Sequence, residues 1–122
     1  MKIHGINNKG VYKDVVSVLG DLGGGTDDID VSLSDSVTAT VSTSTQTFTF
    51  SNPPASGTSG GFTFFITNGG SQTVNWPTSV DWPDGLEPEL TISGLDVLTF
   101  TTLDGGTIWM GFVNGFDIKS PI

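Results

Sequence analysis

The chain contains no cysteine and no arginine, one histidine, one tyrosine and only four lysines among 122 residues. Without cysteine there is neither a disulfide framework nor a thiolate metal site, so stability has to come from packing or from partner chains. That composition suits assembly in a reducing cytoplasm. His4 would have to serve as the base of any Ser-His-Asp triad, yet it stands at the very start of the chain, where a fixed base is not expected. The expectation is a protein that is not an enzyme, with no catalytic residue and no cofactor. No segment reads as a long helix or reaches the roughly 20 apolar residues that cross a membrane, and the first residues lack the apolar run of a signal peptide. A soluble, non-exported chain is expected.

Charge is scarce in one sign and uneven in placement. Lys2, Lys9 and Lys13 fall within the first thirteen residues, and Asp14 is the only acid before Gly20. From Asp21 onward twelve carboxylates face Lys119 alone, in a chain whose net charge is −9. Such an acidic body repels nucleic acid and anionic lipid, so neither is expected as a partner. The basic head is either a frayed terminus or an extension that docks on a partner.

What the chain does have is alternation. Thr or Ser exchanges with a large apolar residue along Val37-Thr38-Ala39-Thr40-Val41, Thr47-Phe48-Thr49-Phe50, Phe62-Thr63-Phe64 and Leu98-Thr99-Phe100-Thr101. A period of two sends the apolar side chains to one face of a sheet and the hydroxyls to the other. Ile29, Val31 and Leu33 share the pattern, and the break at Ser34-Asp35 suggests a hairpin with residues 37–41. Residues 47–50 end at Asn52-Pro53-Pro54, and residues 62–67 form the most apolar strand, expected to be central or at a subunit interface. Two Trp-Pro steps, Trp76-Pro77 and Trp82-Pro83, mark edge segments or loops, and Leu90-Thr91-Ile92 reads as a short strand. Residues 97–102 and 107–113, joined through Asp104-Gly105-Gly106, form the clearest hairpin. Seven or eight short strands of this kind predict an all-β antiparallel sandwich or jelly roll.

Two parts are expected. Residues 1–20 form an extended N-terminal arm, whose apolar residues Val15, Val16, Val18 and Leu19 are too isolated for a core of their own. The flexible Gly20-Asp21-Leu22-Gly23-Gly24-Gly25 stretch then leads into a body over residues 21–122. Asp27, Asp28, Asp30 and Asp35 miss the spacing of a calcium-binding EF-hand loop and read as solvated strand-edge charge, so no metal is expected. Trp76, Trp82 and Trp109 fit either core and interface packing or stacking on sugar rings, with packing favoured because aromatic side chains bury large areas.

The succession of residues 47–57, then Thr73-Val74-Asn75-Trp76-Pro77, then Asp96-Val97-Leu98-Thr99-Phe100 and Asp104-Gly105-Gly106-Thr107-Ile108-Trp109 resembles a β module of tailed-bacteriophage structural proteins, over about residues 20–116. The resemblance implies a virion surface protein made in the bacterial host cytoplasm. A small body behind a short arm is similar to a capsid decoration, or cement, protein, which implies the major capsid protein and copies of itself, in a homotrimer, as partners. On that reading residues 15–19 add a strand to an exposed sheet edge of the shell, and Lys2, Lys9 and Lys13 pair with acidic groups there. The alternative it implies is a tail-fibre or appendage tip that recognises a host glycan through Trp76 or Trp82.

Overall fold

The computed structural model describes residues 14–121. Among them are nine strands: β1 (Val16–Leu22), β2 (Gly25–Asp30), β3 (Ser36–Val41), β4 (Gln46–Ser51), β5 (Gly60–Thr67), β6 (Val74–Asn75), β7 (Val80–Asp81), β8 (Leu95–Thr102) and β9 (Trp109–Gly115). Their only helical features are short 3-10 turns at Gly69–Ser71 and Pro83–Gly85. The body is all-β.

Successive strands do not fold back on one another. β1, β3 and β5 lie side by side and parallel in a six-stranded sheet of order β1-β3-β5-β8-β9-β7, while β2, β4 and β6 lie side by side and parallel in a three-stranded sheet. The chain therefore coils, crossing from one sheet to the other and back with each pair of strands. Stacked corners hold the coils together. Gly25 N–H donates to Thr45 O and Gln46 N–H to Thr73 O on one flank, while Val31 N–H donates to Ser51 O and Thr63 N–H to Asp35 O on the other. Ser42 Oγ adds bonds to Asp21 Oδ1 (2.7 Å) and Leu22 O (2.9 Å), tying the second corner to the first.

This arrangement replaces the expected hairpin of residues 29–33 with residues 37–41. β2 ends at Asp30, whose Oδ1 accepts from the Ser32 amide at 3.0 Å, a local turn that sends the chain across the core instead of back along its own sheet. Leu33 consequently points to solvent, and Ile29 and Val37 face the shared core from opposite sheets. Antiparallel pairing is confined to β5 with β8 and β8 with β9; the latter is the hairpin expected across Asp104-Gly105-Gly106, where both glycines have positive φ. Residues 90–92 are not a strand. The Asp96 carboxylate accepts from the Thr91 amide (2.7 Å) and hydroxyl (2.6 Å), and Gly70 N–H donates to Thr91 O, which fixes this stretch as a loop against the end of β5.

The core lies between the sheets. Phe48 from β4 meets Phe64 from β5 edge-on at 5.1 Å, and Phe50 meets Phe62, Phe100 and Trp109 at 5.0–5.2 Å. These rings, with Ile29, Val37, Ile66 and Leu98, are the inward half of the alternating pattern. Burying each contributes about 1.5–3 kcal/mol against chain entropy. The close pairing of β5 with β8 needs Gly61, because a Cβ there would sit 1.9 Å from Phe100 O.

β1 also changes the boundary placed at Gly20. Val16–Leu22 is a strand of the body, hydrogen-bonded along β3, with a bulge between Val18 and Gly20 that turns Leu19 and Leu22 toward the core. Gly20 and Asp21 lie within β1, and the chain turns at Gly23-Gly24 into β2. Lys2, His4, Lys9 and Lys13 lie outside the described residues.

Candidate functional site

The outward half of the pattern defines the candidate surface. In the six-stranded sheet four rows of residues face away from the core: Gly61, Thr101, Met110 and Asp81; Val16, Ser36, Thr63, Thr99 and Phe112; Val18, Thr38, Phe65, Val97 and Gly115; Asp21, Thr40, Thr67 and Leu95. Asp21 and Asp81, at opposite margins, are the only charged members. Apolar and hydroxyl groups make up the rest, together with the Asn114 carboxamide, whose Oδ1 accepts from Thr99 Oγ1 at 2.9 Å. A shallow concavity of about 420 Å³ opens over Val18, Thr38, Phe65, Thr67 and Leu95. Across the face, Phe112 stands out at 45 % exposed, and Ile118 Cδ1 lies 2.9 Å from where a Gly115 Cβ would project.

β1 ends the sheet on the concave side. One edge of its backbone pairs with β3 and the other pairs with no described strand. Val15 is 74 % and Val18 72 % exposed, and Val16 is exposed beside them, whereas Leu19 packs against the core. The structure thus brings Val15, Val16 and Val18 together on an open edge and separates Leu19 from them. The start of the strand is pinned by the Asp35 amide, which donates to Asp14 Oδ2 at 2.7 Å, and by Ser34 Oγ, which bonds to Val15 O. The edge is held in place and not frayed.

The three tryptophans are packing residues in the chain itself. Trp76 stacks on Phe48 (5.5 Å, 27°) and lies 5.1 Å from Phe100; Trp109 is 2 % exposed against Phe50 and Phe62. Neither presents a free ring to a sugar or a partner. Trp82 is half-buried, edge-on to Trp76 and Phe100, and its ring lies over Gly111, where a Cβ would come within 2.7 Å. Gly111 is the residue that a reading of the tryptophans alone misses: a glycine inside a β-strand signals close approach by another group.

The aspartates diverge. Asp27 accepts from Gln46 Nε2 (2.8 Å), Asp28 from Thr49 Oγ1 (2.7 Å) and from Ser51 Oγ, and Asp30 from Ser32 Oγ (2.6 Å). Hydrogen bonds from the Ser32 side chain, the Asn52 side chain and the Ser32 amide hold the Asp30 carboxyl below the usual aspartate value, against a smaller upward push from desolvation. Among the described residues no three His, Cys, Asp or Glu side chains group as a metal site would need. The Asp104 carboxyl is lowered chiefly by the Ile108 amide, which donates to Oδ1 at 3.0 Å, a turn-building contact inside the β8–β9 hairpin.

No protein family, no curated protein and no solved structure matches the chain.

Proposed function

We propose that the protein is a non-enzymatic structural component of a tailed-phage virion, a capsid decoration protein that docks on the major capsid protein through the open edge of β1 and stabilises the shell. The virion assignment rests on the sequence resemblance alone. The observation that carries the docking mode is the pinned β1 edge, which pairs with no strand among the described residues and has Val15, Val16 and Val18 exposed along it. A strand offered in this way can extend a partner's sheet through main-chain hydrogen bonds, with its alternate side chains giving specificity. The bulge at Leu19 and the carboxylate of Asp21 interrupt the far half of the edge, which restrains pairing with unintended chains. In layer terms the body is a sandwich, two sheets over one core, with coiled connectivity in place of the jelly roll's. A glycan-binding appendage tip has less support, since Trp76 and Trp109 are core residues.

The test is co-sedimentation with undecorated tailed-phage capsids. A chain starting at Asp14 is the informative truncation, because one starting at Asp21 would remove most of β1 from the body. The full chain is expected to pellet saturably. The Asp14 chain should bind more weakly and with less salt sensitivity, having lost Lys2, Lys9 and Lys13, and Val15→Asp with Val16→Asp should abolish binding in a folded protein. A full chain that never pellets with the shell overturns the proposal.

A further inference from the structure

We propose that the outward face of the six-stranded sheet is a self-association surface on which a second copy of this chain seats face to face. The inference is independent of the virion reading; the face shares Val16 and Val18 with the β1 edge, so it is tested without capsid.

Three observations select a second copy as the occupant. The first is charge. A body carrying twelve carboxylates and one described lysine repels its own kind over most of its surface, and two copies can approach closely only where carboxylates are missing. The four outward rows are such a place, with Asp21 and Asp81 confined to the margins. The second is chemistry. Thr38, Thr40, Thr63, Thr67 and Thr101 each carry a hydroxyl that both donates and accepts, so these groups can pair with copies of themselves, which neither a carboxylate nor an ammonium can do.

The third is shape. The concavity lies toward β1, β3 and β5, and Phe112, 45 % exposed, lies on β9, on the other side of the sheet's centre. A two-fold axis in the plane of the face, running along the strands near β5 and β8, carries β9 of one copy over the β1 side of the other. Because such an axis keeps each residue at its own height along the strands, Phe112 of each then lies over the Ser36 end of its partner's Val16-Ser36-Thr63 row, beside the hollow, the reciprocal pattern of an isologous contact. The area is adequate. Strand spacing and rise give a face of about 500–600 Å² per copy, roughly 1,000–1,200 Å² in total, at the lower limit of specific interfaces. One flat face closes with one partner, whereas a cyclic trimer would need two different patches on each chain. The resemblance implies a threefold arrangement instead, and the mass of the oligomer distinguishes the two.

Sedimentation velocity on the full chain across a wide concentration range, without any capsid, tests this. The expected result is a reversible shift from 12.7 kDa to twice that mass, strengthened by added salt because salt screens like charges. Val97→Glu, at the centre of the face, should weaken association at least tenfold while circular dichroism stays unchanged. The absence of native cysteine gives a second readout: chains carrying Ser36→Cys mixed with chains carrying Phe112→Cys should form an inter-chain disulfide, and Thr49→Cys, on the opposite sheet, should form none with either. A monomer at every concentration, a trimer, a dimer indifferent to Val97→Glu, or equal cross-linking at Thr49 would overturn the proposal. So would a face that becomes protected only on a capsid, which would assign it to the shell.

Discussion

Asp96 is the charged side chain on which the ordering of the molecule's C-terminal end depends most, and its removal has a calculable cost. It is fully buried at the start of β8 and accepts three hydrogen bonds, from the Thr91 amide at 2.7 Å, the Thr91 hydroxyl at 2.6 Å and the Asp117 amide at 2.9 Å. Asp96→Ala leaves two part-buried amides without a partner, each worth about 1–3 kcal/mol. Relief of the desolvated carboxylate and entry of water offset part of that. The net loss works out at about 3 kcal/mol, a large share of the roughly 5–15 kcal/mol typical of a domain. The urea midpoint should fall accordingly, and the amides of Thr91 and Asp117 should exchange hydrogen far faster than in the wild type. Asp96→Asn keeps the shape but turns an NH₂ toward one donor, and should cost about half as much. Because Ile118 N–H bonds to Leu95 O beside this site, the loosened segment should also weaken self-association. A loss below about 1 kcal/mol for Asp96→Ala, with both amides still protected, would mean that the Asp96 carboxyl does not hold this segment.

Other outcomes follow from the same structure. Phe100→Ala removes a fully buried ring in contact with Phe50, Phe62, Trp76 and Trp82, and should cost about 3–5 kcal/mol in denaturant unfolding. Gly61→Ala should approach that cost by forcing β5 from β8, whereas Gly23→Ala, which meets open space, should be nearly neutral; thermal melts of the two variants separate them. Asp104 has its folded-state pKa depressed, so its contribution to stability is present above the ordinary aspartate value of 3.8 and is lost as pH falls through the lower folded value. The melting temperature of the wild type should therefore fall more steeply below about pH 3.8 than that of Asp104→Ala; parallel profiles would contradict this.

Much of the strand inventory is legible because alternation is a local property. Residues 37–41, 47–50, 62–67 and 97–102 need no partner to be read as strands, and two glycines after Asp104 mark a turn by their backbone freedom. Connectivity is another matter. Ile29 and Val37 face inward whether the chain reverses in one sheet or crosses to a second, so the pattern is the same for a hairpin and for a coil. What separates the two is the Asp30–Ser32 turn and the stacking of corners about twenty residues apart, as in the pairing of Val16 with Ser36 and of Gly25 with Gln46. No repeated motif announces that spacing. β1 is obscured for a related reason: Gly20 and the bulge beside it resemble a linker, and only the ladder with β3 shows that the strand runs through them. The candidate surface is legible in part. Val15, Val16 and Val18 stand out as apolar residues in a polar stretch, but Phe65, Val97 and Phe112 converge on one face only once the register of five strands is known.

Hydrogen–deuterium exchange on the protein, free and bound to undecorated capsids, shows whether the β1 edge is the docking element. In the free protein the amides of Val16–Leu22 that face away from β3 should exchange readily, as edge groups do. On the capsid those in the Val16-Ser17-Val18 half, ahead of the bulge, should become protected while the three-stranded sheet is unchanged. A bound protein whose new protection falls elsewhere, with β1 exchanging as before, would contradict docking by this edge.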